Sequence, residues 1–249
     1  MRNDDLKWYT ADLHIHTCLS PCADWAMSPI KIVEKSRNKG IDIIAVCDHN
    51  SAENAEAVIN AGKKKGLCVL PGMEICSREE VHILSVFERL EQAVAMQEYV
   101  YNHLEGVNNP EVWGYQVVAD ENDKVIYENS KMLIGATTLG LGKITDMINS
   151  LNGISIASHI DRRAFGIISQ LGFIPVDLEI DGVEISSHIT VKEALEKIPD
   201  AGLKPCFASS DAHFPDDIGK ASTRFFIMEP TLDEIRLAIQ KKKGRRMEA

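Results

Sequence analysis

Two histidines stand one residue apart in "TADLHIHTCLSP", residues 10–21, and further histidines or carboxylates close apolar runs at Asp48-His49, Glu74, His159 and Asp211-Ala-His213. In a β-strand, residues i and i+2 leave the backbone on the same face, so His14 and His16 would stand side by side, close enough to grip one ion or two neighbouring ions. Histidine and carboxylate together, without four thiols, suit Zn, Mn or Fe used catalytically, because mixed nitrogen and oxygen ligation leaves room for water. The chain offers more such ligands than one tetrahedral ion can use. Two to three divalent ions bridged by a carboxylate are the natural reading; such a cluster lowers the pKa of bound water to about 7 and clamps the entering and leaving oxygens of a phosphoryl transfer. Each element also has a plainer reading: a strand histidine can be a satisfied core residue, "CDHN" an Asx turn, "SDAH" an ordinary turn, and Glu74 a surface carboxylate. Only their joint occurrence argues for a site. Cys18 and Cys22 flank a Ser-Pro turn, but no second pair with finger spacing follows.

Those residues need elements to hold them. The first strand covers about residues 9–17, and "SPIKIVEKSRNKG" then reads as a helix with Ser28 as N-cap, Pro29 at its first position and Gly40 beyond its end. "IDIIAVCDHN" reads as a buried strand, "AENAEAVINAGKKKG" as a helix, and "LCVLPGMEIC" as the strand carrying Glu74. "VHILSVF" reads as a strand with His82, Leu84 and Val86 on one face, followed by the helix "LEQAVAMQEYVYNHLE". Residues 106–138 break the rhythm: β-rich flanks around a polar "DENDK" turn look like a hairpin insertion that caps a pocket or forms an interface. The alternation resumes with a helix at "LGKITDMINSLNG", strands at "ISIASHI", "GVEISS", "KPCFASSDAH" and "STRFFIMEP", and helices at "RAFGIISQLG", "TVKEALEKI" and "TLDEIRLAIQKKKG". This predicts an α/β fold, a single domain over 1–249 built on a parallel sheet closed into a barrel, with chemistry at the C-terminal ends of the strands.

At 249 residues with a net charge of -10, the chain has one basic run, the C-terminal "KKKGRR", read as a solvated tail. With 6% aromatic residues and no basic groove, an extended nucleic-acid surface is not expected; the partner is a small phosphorylated substrate. The start lacks a secretory pattern and no apolar run is long enough to cross a bilayer, so a cytoplasmic location is expected and no membrane partner. The six cysteines suit reduced thiols better than a disulfide framework.

At "DLHIHT", "CDHN", "GMEI" with "VHIL", "ASHIDR" and "SSDAH", in that order, the sequence resembles the PHP (polymerase and histidinol phosphatase) family of metal-dependent phosphoesterases. The resemblance implies a distorted (β/α)7 TIM-like barrel with a site for up to three metals. Carried over, the implied ligands are His14, His16, His49, Glu74, His82, His159, Asp211 and His213, with Asp24 as an acidic ligand set further from His16 than in the shorter family form. Asp48 is implied as a group that orients a ligand or a water. Arg162 falls where related proteins carry an arginine that reaches substrate phosphate, and Arg163 is its immediate rival. His188 is left as a pocket-wall or surface residue, and His103 as solvent-facing.

The expected activity is hydrolysis of a small phosphate ester by a metal-bridging hydroxide, with Glu74 bridging, Asp48 assisting and Arg162 holding the phosphate. A nucleotide, a nucleoside bisphosphate or the end of a short oligonucleotide is the first substrate class, and histidinol phosphate the next. Two other classes compete: a metal-dependent amidohydrolase, whose barrel also opens on a HxH strand, and a non-catalytic metal-binding scaffold. The late "SDAH" pair speaks against the first, and the full ligand set against the second.

Overall fold

A computed structural model describes residues 5–249. Strand β1 (Lys7–Ile15) is followed by α1 (Pro29–Asn38), β2 (Ile43–Val46), α2 (Ala55–Lys65), β3 (Cys68–Cys76), β4 (His82–Val86) and α3 (Leu90–Tyr101). The insertion holds α4 (Pro110–Trp113) and the hairpin of β5 (Val117–Ala119) and β6 (Val125–Glu128). Then come α5 (Leu141–Ser150), β7 (Ile154–Ala157), α6 (Ile167–Leu171), β8 (Gly182–Ile185), α7 (Val191–Lys197), β9 (Cys206–Ala208), β10 (Thr223–Ile227), α8 (Leu232–Ile239) and β11 (Arg246–Glu248).

One sheet runs β11-β10-β1-β2-β3-β4-β7-β8-β9 and curls into a nearly closed barrel. The segment after β9 returns to β1: Ala212 bridges Ile15, His16 N donates to Ala212 O at 3.0 Å, and Ala212 N donates to His14 O at 3.2 Å. Seven strands, β1 to β4 and β7 to β9, thus form the barrel wall, while β10 and β11 extend the sheet antiparallel beyond β1. The wall is not all parallel. β4 pairs antiparallel with both β3 and β7, because the loop 77–81 between β3 and β4 is too short for the dozen or more residues a parallel crossover needs. This reversal matters for the site, since it puts the first residue of β4, His82, at the rim where the other strands end.

Side chains alternate across the wall as the two-residue period of a strand requires. Ala45 and Cys47, Leu84 and Val86, Ile154 and Ile156, and Phe207 fill the barrel interior, while Ile44 and Val46 pack outward with Ile32, Val33 and Val58 of α1 and α2. Met73, Ile75, Ile83 and Val183 join the outer core with Met96 and Ile144 of α3 and α5. Gly182 is required by the interior packing: a Cβ there would stand 2.3 Å from the Phe207 ring.

Residues 106–138 hold this β5–β6 hairpin and a short helix, bolted to the rim by two buried asparagines. Asn50 Nδ2 donates to Leu133 O at 2.7 Å and Gly135 O at 2.8 Å, and Asn54 Nδ2 donates to Val117 O at 3.0 Å while its Oδ1 accepts from Ala119 N at 2.9 Å. The hairpin turn reaches α1, where Asp123 accepts from Ser28 Oγ at 2.7 Å and from Ile30 N at 2.8 Å. Ser28 is the N-cap residue as expected, but the capping oxygens belong to Asp123. The basic tail departs from expectation: Arg245 is buried and makes a two-pronged pair with Glu234 at 3.0 and 2.8 Å, and β11 pairs with β10. Among the described residues, no helix is long and apolar enough to cross a membrane.

Candidate metal centre

The polar residues of the site occupy inward positions at the top of the barrel, above the apolar layers. Glu74 lies between the outward Met73 and Ile75, His82 shares a face with Leu84 and Val86, and Glu184 lies between Val183 and Ile185. β1 needs an extra device, because strict alternation would set Ala11, Leu13 and Ile15 on one face. Between Asp12 and Ile15 its register against β2 shifts, three steps of β1 matching two of β2. Ile15 packs outward with Ile44 and Val46, whereas Ala11 and Leu13 belong to the interior, so the irregularity re-aims the strand's end and brings His14 and His16 over the interior.

Glu74 is the hub, and it is 1% exposed. Its Oε1 lies 2.9 Å from His82 Nδ1, 3.0 Å from His159 Nε2 and 3.5 Å from His14 Nε2. Its Oε2 lies 3.2 Å from His49 Nδ1 and 3.5 Å from His16 Nε2. The two oxygens of one carboxylate therefore face two different groups of imidazoles. Asp211 Oδ1 lies 3.1 Å from His16 Nε2 and 3.2 Å from His14 Nε2, and the His213 ring stacks on His16 with centroids 4.1 Å apart. Three overlapping sets have ligand atoms within 4.8 Å of one another: His16, His49 and His213; His14, His16, Glu74 and Asp211; His49, Glu74 and His82.

A surrounding layer fixes these rings. Asp48 accepts from Thr17 N, Thr17 Oγ1 and Ser20 Oγ, each at 2.7 Å, and Ser20 Oγ stands 2.9 Å from His16 Nδ1. With its own proton given to Asp48, Ser20 can only accept from His16, so Nδ1 carries the hydrogen and Nε2 keeps a free lone pair. Glu184 does the same for His14, with its oxygens 3.0 and 3.1 Å from Nδ1, and it also accepts from His159 N at 3.1 Å. Asp12 accepts from Ser210 N and Gly219 N, tying the Asp211 loop to β1, and burial pushes its carboxyl up to about 6. His159 and Asp211 adopt positive φ of 28° and 50°, strained for residues with side chains and characteristic of functional sites.

The arrangement suits cations. His14 Nε2 and His16 Nε2 face each other at 3.1 Å, so a proton or a cation has to lie between their lone pairs. His82 Nδ1 sits 2.9 Å from Glu74 without hydrogen-bonding geometry, as two ligands of one ion would. Burial alone would raise Glu74 and Asp211, but the facing histidines hold both well below the usual carboxylate range. Burial would lower His14, yet Glu184, Asp211 and Glu74 lift it well above its ordinary value. Burial dominates at His82, pushed down to about 4, so this ring is neutral and ligand-competent at neutral pH. The residues present fit a divalent-cation cluster.

The centre opens into a cavity of about 550 Å³ lined by His49, His82, His159 and His213 on one side and by Trp113, Met132 and Ile134 of the insertion on the other. The insertion thus caps the pocket. Arg162 lines it, with Nη1 2.5 Å from Asp211 Oδ2 and a buried Nε that has no partner among the described residues. Arg163, its rival from the sequence, is exposed and does not line the cavity. Asp24 does not join the ligand atoms: its Oδ1 accepts from Ala26 N at 2.7 Å in a local turn of the lengthened loop. That loop instead brings Cys22 into the lining; burial would raise its thiol, but His49 and His213 lower it to about 5. His188 is exposed and lines a separate groove with Thr190 and Lys220. His103 is half-buried rather than free in solvent, its Nδ1 2.8 Å from Tyr99 O. All six cysteines are free.

Comparison with known proteins gives two family matches, "PHP domain" over residues 12–173 and "PHP-associated" over residues 203–243. Endonuclease Q from Pyrococcus furiosus, a lesion-specific endonuclease, has a similar structure at TM-score 0.72 and 20% identity, covering 97% of this chain and 58% of that one. An endonuclease Q complex with a 27-mer duplex bearing an abasic lesion matches at TM-score 0.71 and 20% identity, covering 96% and 58%. A 5'-3' exoribonuclease from Haemophilus influenzae is 30% identical over 78 residues, which is 30% of this chain and 27% of that protein. The chain therefore spans little more than half of these structures and about a quarter of this curated relative. These similarities overturn the expectation that an extended nucleic-acid surface is lacking. Whole-chain charge and aromatic content were the wrong measure, since the fold places Trp113, Phe165 and Arg162 around one cavity.

Proposed function

Since the chain belongs to the PHP domain family of metal-dependent hydrolases, we propose that it hydrolyses a phosphate ester in a nucleic-acid strand or at its terminal nucleotide, with a free nucleotide or nucleoside bisphosphate as the smallest substrate. The observation that carries this reading is the shared cavity in which Glu74 faces two imidazole groups and Arg162 faces the space beside Asp211.

In this reading His14, His16, His49, Glu74, His82, His159, Asp211 and His213 hold two to three divalent ions, with Zn, Mn and Fe all compatible with the mixed donors. Such ions, when bound, supply a water acidified to about pKa 7 and charge neutralisation at the phosphate oxygens. Glu74, whose two oxygens face different imidazoles, would share its charge between neighbouring ions and offset their mutual repulsion. Glu184 and the Asp48–Ser20 pair hold His14 and His16 with Nε2 lone pairs turned inward. Arg162 carries a fixed charge whose unpartnered Nε and exposed edge can take a phosphate oxygen. The cap formed by Trp113, Met132 and Ile134 narrows water's access to the reacting phosphate.

The test is a substrate panel on purified protein, chelated and then reloaded with Mn, Zn or Fe: histidinol phosphate, a nucleoside bisphosphate, and single- and double-stranded oligonucleotides. Turnover of a nucleotide-containing ester by the reloaded protein alone is expected. Turnover of histidinol phosphate alone would overturn the nucleic-acid reading, and turnover of none of them would overturn the hydrolase reading.

A further inference from the structure

Trp113 is 47% exposed although it lines the cavity of the metal centre. Leaving an indole half in water forgoes much of the ~25 cal/mol per Å² that its burial would return, so its position calls for an occupant. The chain fixes that position firmly. Gly114, directly after Trp113, has φ of 98° and approaches Pro21 so closely that a Cβ would lie 2.2 Å from Pro21 O. Val117 N donates to Cys18 O at 3.0 Å, and Asn108 Nδ2 donates to Gly114 O at 2.9 Å. These contacts clamp α4 to the loop after β1. The same clamp sets Tyr115 against Trp25, ring centroids 5.4 Å apart, both exposed at the rim. Across the cavity Phe165 stacks on His82, centroids 4.4 Å apart and planes within 13°, and is held at φ of 59°.

We propose that Trp113 is a stacking platform for one unpaired nucleobase, that of the nucleotide whose phosphate lies between the metal centre and Arg162. The proposal deepens the reading above and rests on it for the identity of the phosphate. Three features favour a base over another apolar group. The cavity joins Trp113 and Phe165 to a floor of candidate metal ligands and Arg162, matching the two ends of a nucleotide. Its volume of about 550 Å³ falls within the ~300–1,000 Å³ of small-ligand pockets, a size suited to one nucleotide. Its walls are Trp113, Phe165, Met132 and Ile134, which offer π and apolar surface that any base can use once it has left the helix stack.

The test measures affinity, by anisotropy, of metal-loaded protein for a short single strand with hydrolysis-resistant phosphorothioate linkages, and for the same strand with an abasic sugar at the end that enters the cavity. Trp113→Ala should weaken the intact strand about 5- to 150-fold, the equivalent of losing one base–aromatic stack, and leave the abasic strand within about twofold. Trp113→Phe should restore most of the loss. Equal weakening of both strands would mean that Trp113 only supports the fold, and no weakening would mean that no base stacks there; either overturns the proposal, as does failure of the wild type to bind. Trp113-dependent binding in a protein that cleaves no phosphoester would keep the stacking site and remove the hydrolase reading.

Discussion

Replacing Glu184 with glutamine changes one oxygen into an amide nitrogen and keeps the side chain's volume. Oε1 accepts from His14 Nδ1 at 3.0 Å and from His159 N at 3.1 Å, while Oε2 lies 3.1 Å from the same His14 Nδ1. The amide oxygen can preserve the first two bonds by taking the Oε1 position. The amide nitrogen then points its hydrogens at the Nδ1–H of His14. The ring can relieve this by moving its proton to Nε2, which removes the lone pair that faces Glu74 and Asp211. Loss of such an orienting partner lowers metal affinity about 10- to 100-fold, or about 1.4 to 2.7 kcal/mol. Glu184→Ala acts differently: it leaves two buried donors without acceptors, about 1–3 kcal/mol of folding stability each. Competitive titration of chelated protein with a divalent ion, paired with thermal melts, separates the two. Glu184→Gln should melt near wild type without metal yet bind the ion more weakly, whereas Glu184→Ala should lose both. Wild-type metal affinity in folded Glu184→Gln would refute the claim that this carboxylate sets the His14 tautomer.

Arg162→Ala should lower kcat/KM about 10- to 100-fold through loss of a charge-assisted contact, while Arg163→Ala stays within about twofold; steady-state kinetics showing the reverse would reassign the phosphate contact. Gly114→Ala should destabilise the chain by about 1–3 kcal/mol, because of the left-handed backbone and the clash with Pro21 O, and should weaken substrate binding as Trp113 shifts; a wild-type melt and KM would show that α4 is not clamped. Brief alkylation of native protein should modify Cys22 before the buried Cys18, Cys47 and Cys76, and metal loading should slow it, since Cys22 faces His49 and His213; peptide mapping that finds a buried cysteine modified first would contradict the placement of the loop.

Of the site histidines, His14, His16, His49, His159 and His213 were legible because they close strand patterns, and strand ends are where a barrel gathers side chains from distant parts of a chain, whereas His82 begins its strand. The barrel-shaped sheet was legible too, but the reversal of β4 was not drawn from the short loop 77–81 that dictates it. Asp24 misled because a position counted along a loop does not fix where its side chain points; two residues on, it closes its own turn on Ala26 N. Glu184 and Asp12 were missed, although an acid in the middle of an apolar strand, as in "GVEIS", is a signal in itself: a buried carboxylate needs partners. The choice between Arg162 and Arg163 depended on the turn after His159, whose positive φ no sequence pattern announces. Acidity and low aromatic content averaged over the chain hid the placement of Trp113 and Phe165 around one cavity, which only the docking of the insertion onto the rim assembles.

If Glu74 shares its carboxylate between two bound ions and phosphoester hydrolysis depends on both, activity follows ion occupancy. The most direct measurement is turnover of a single-stranded oligonucleotide against the number of divalent ions bound per chain, with chelated wild type and Glu74→Gln titrated in parallel. Wild type should be inactive after chelation, become active only as binding passes one ion per chain, and lose most of that activity in a folded Glu74→Gln that holds fewer ions. Activity that survives chelation, saturates at one ion, or persists in Glu74→Gln within a few-fold of wild type would contradict the account.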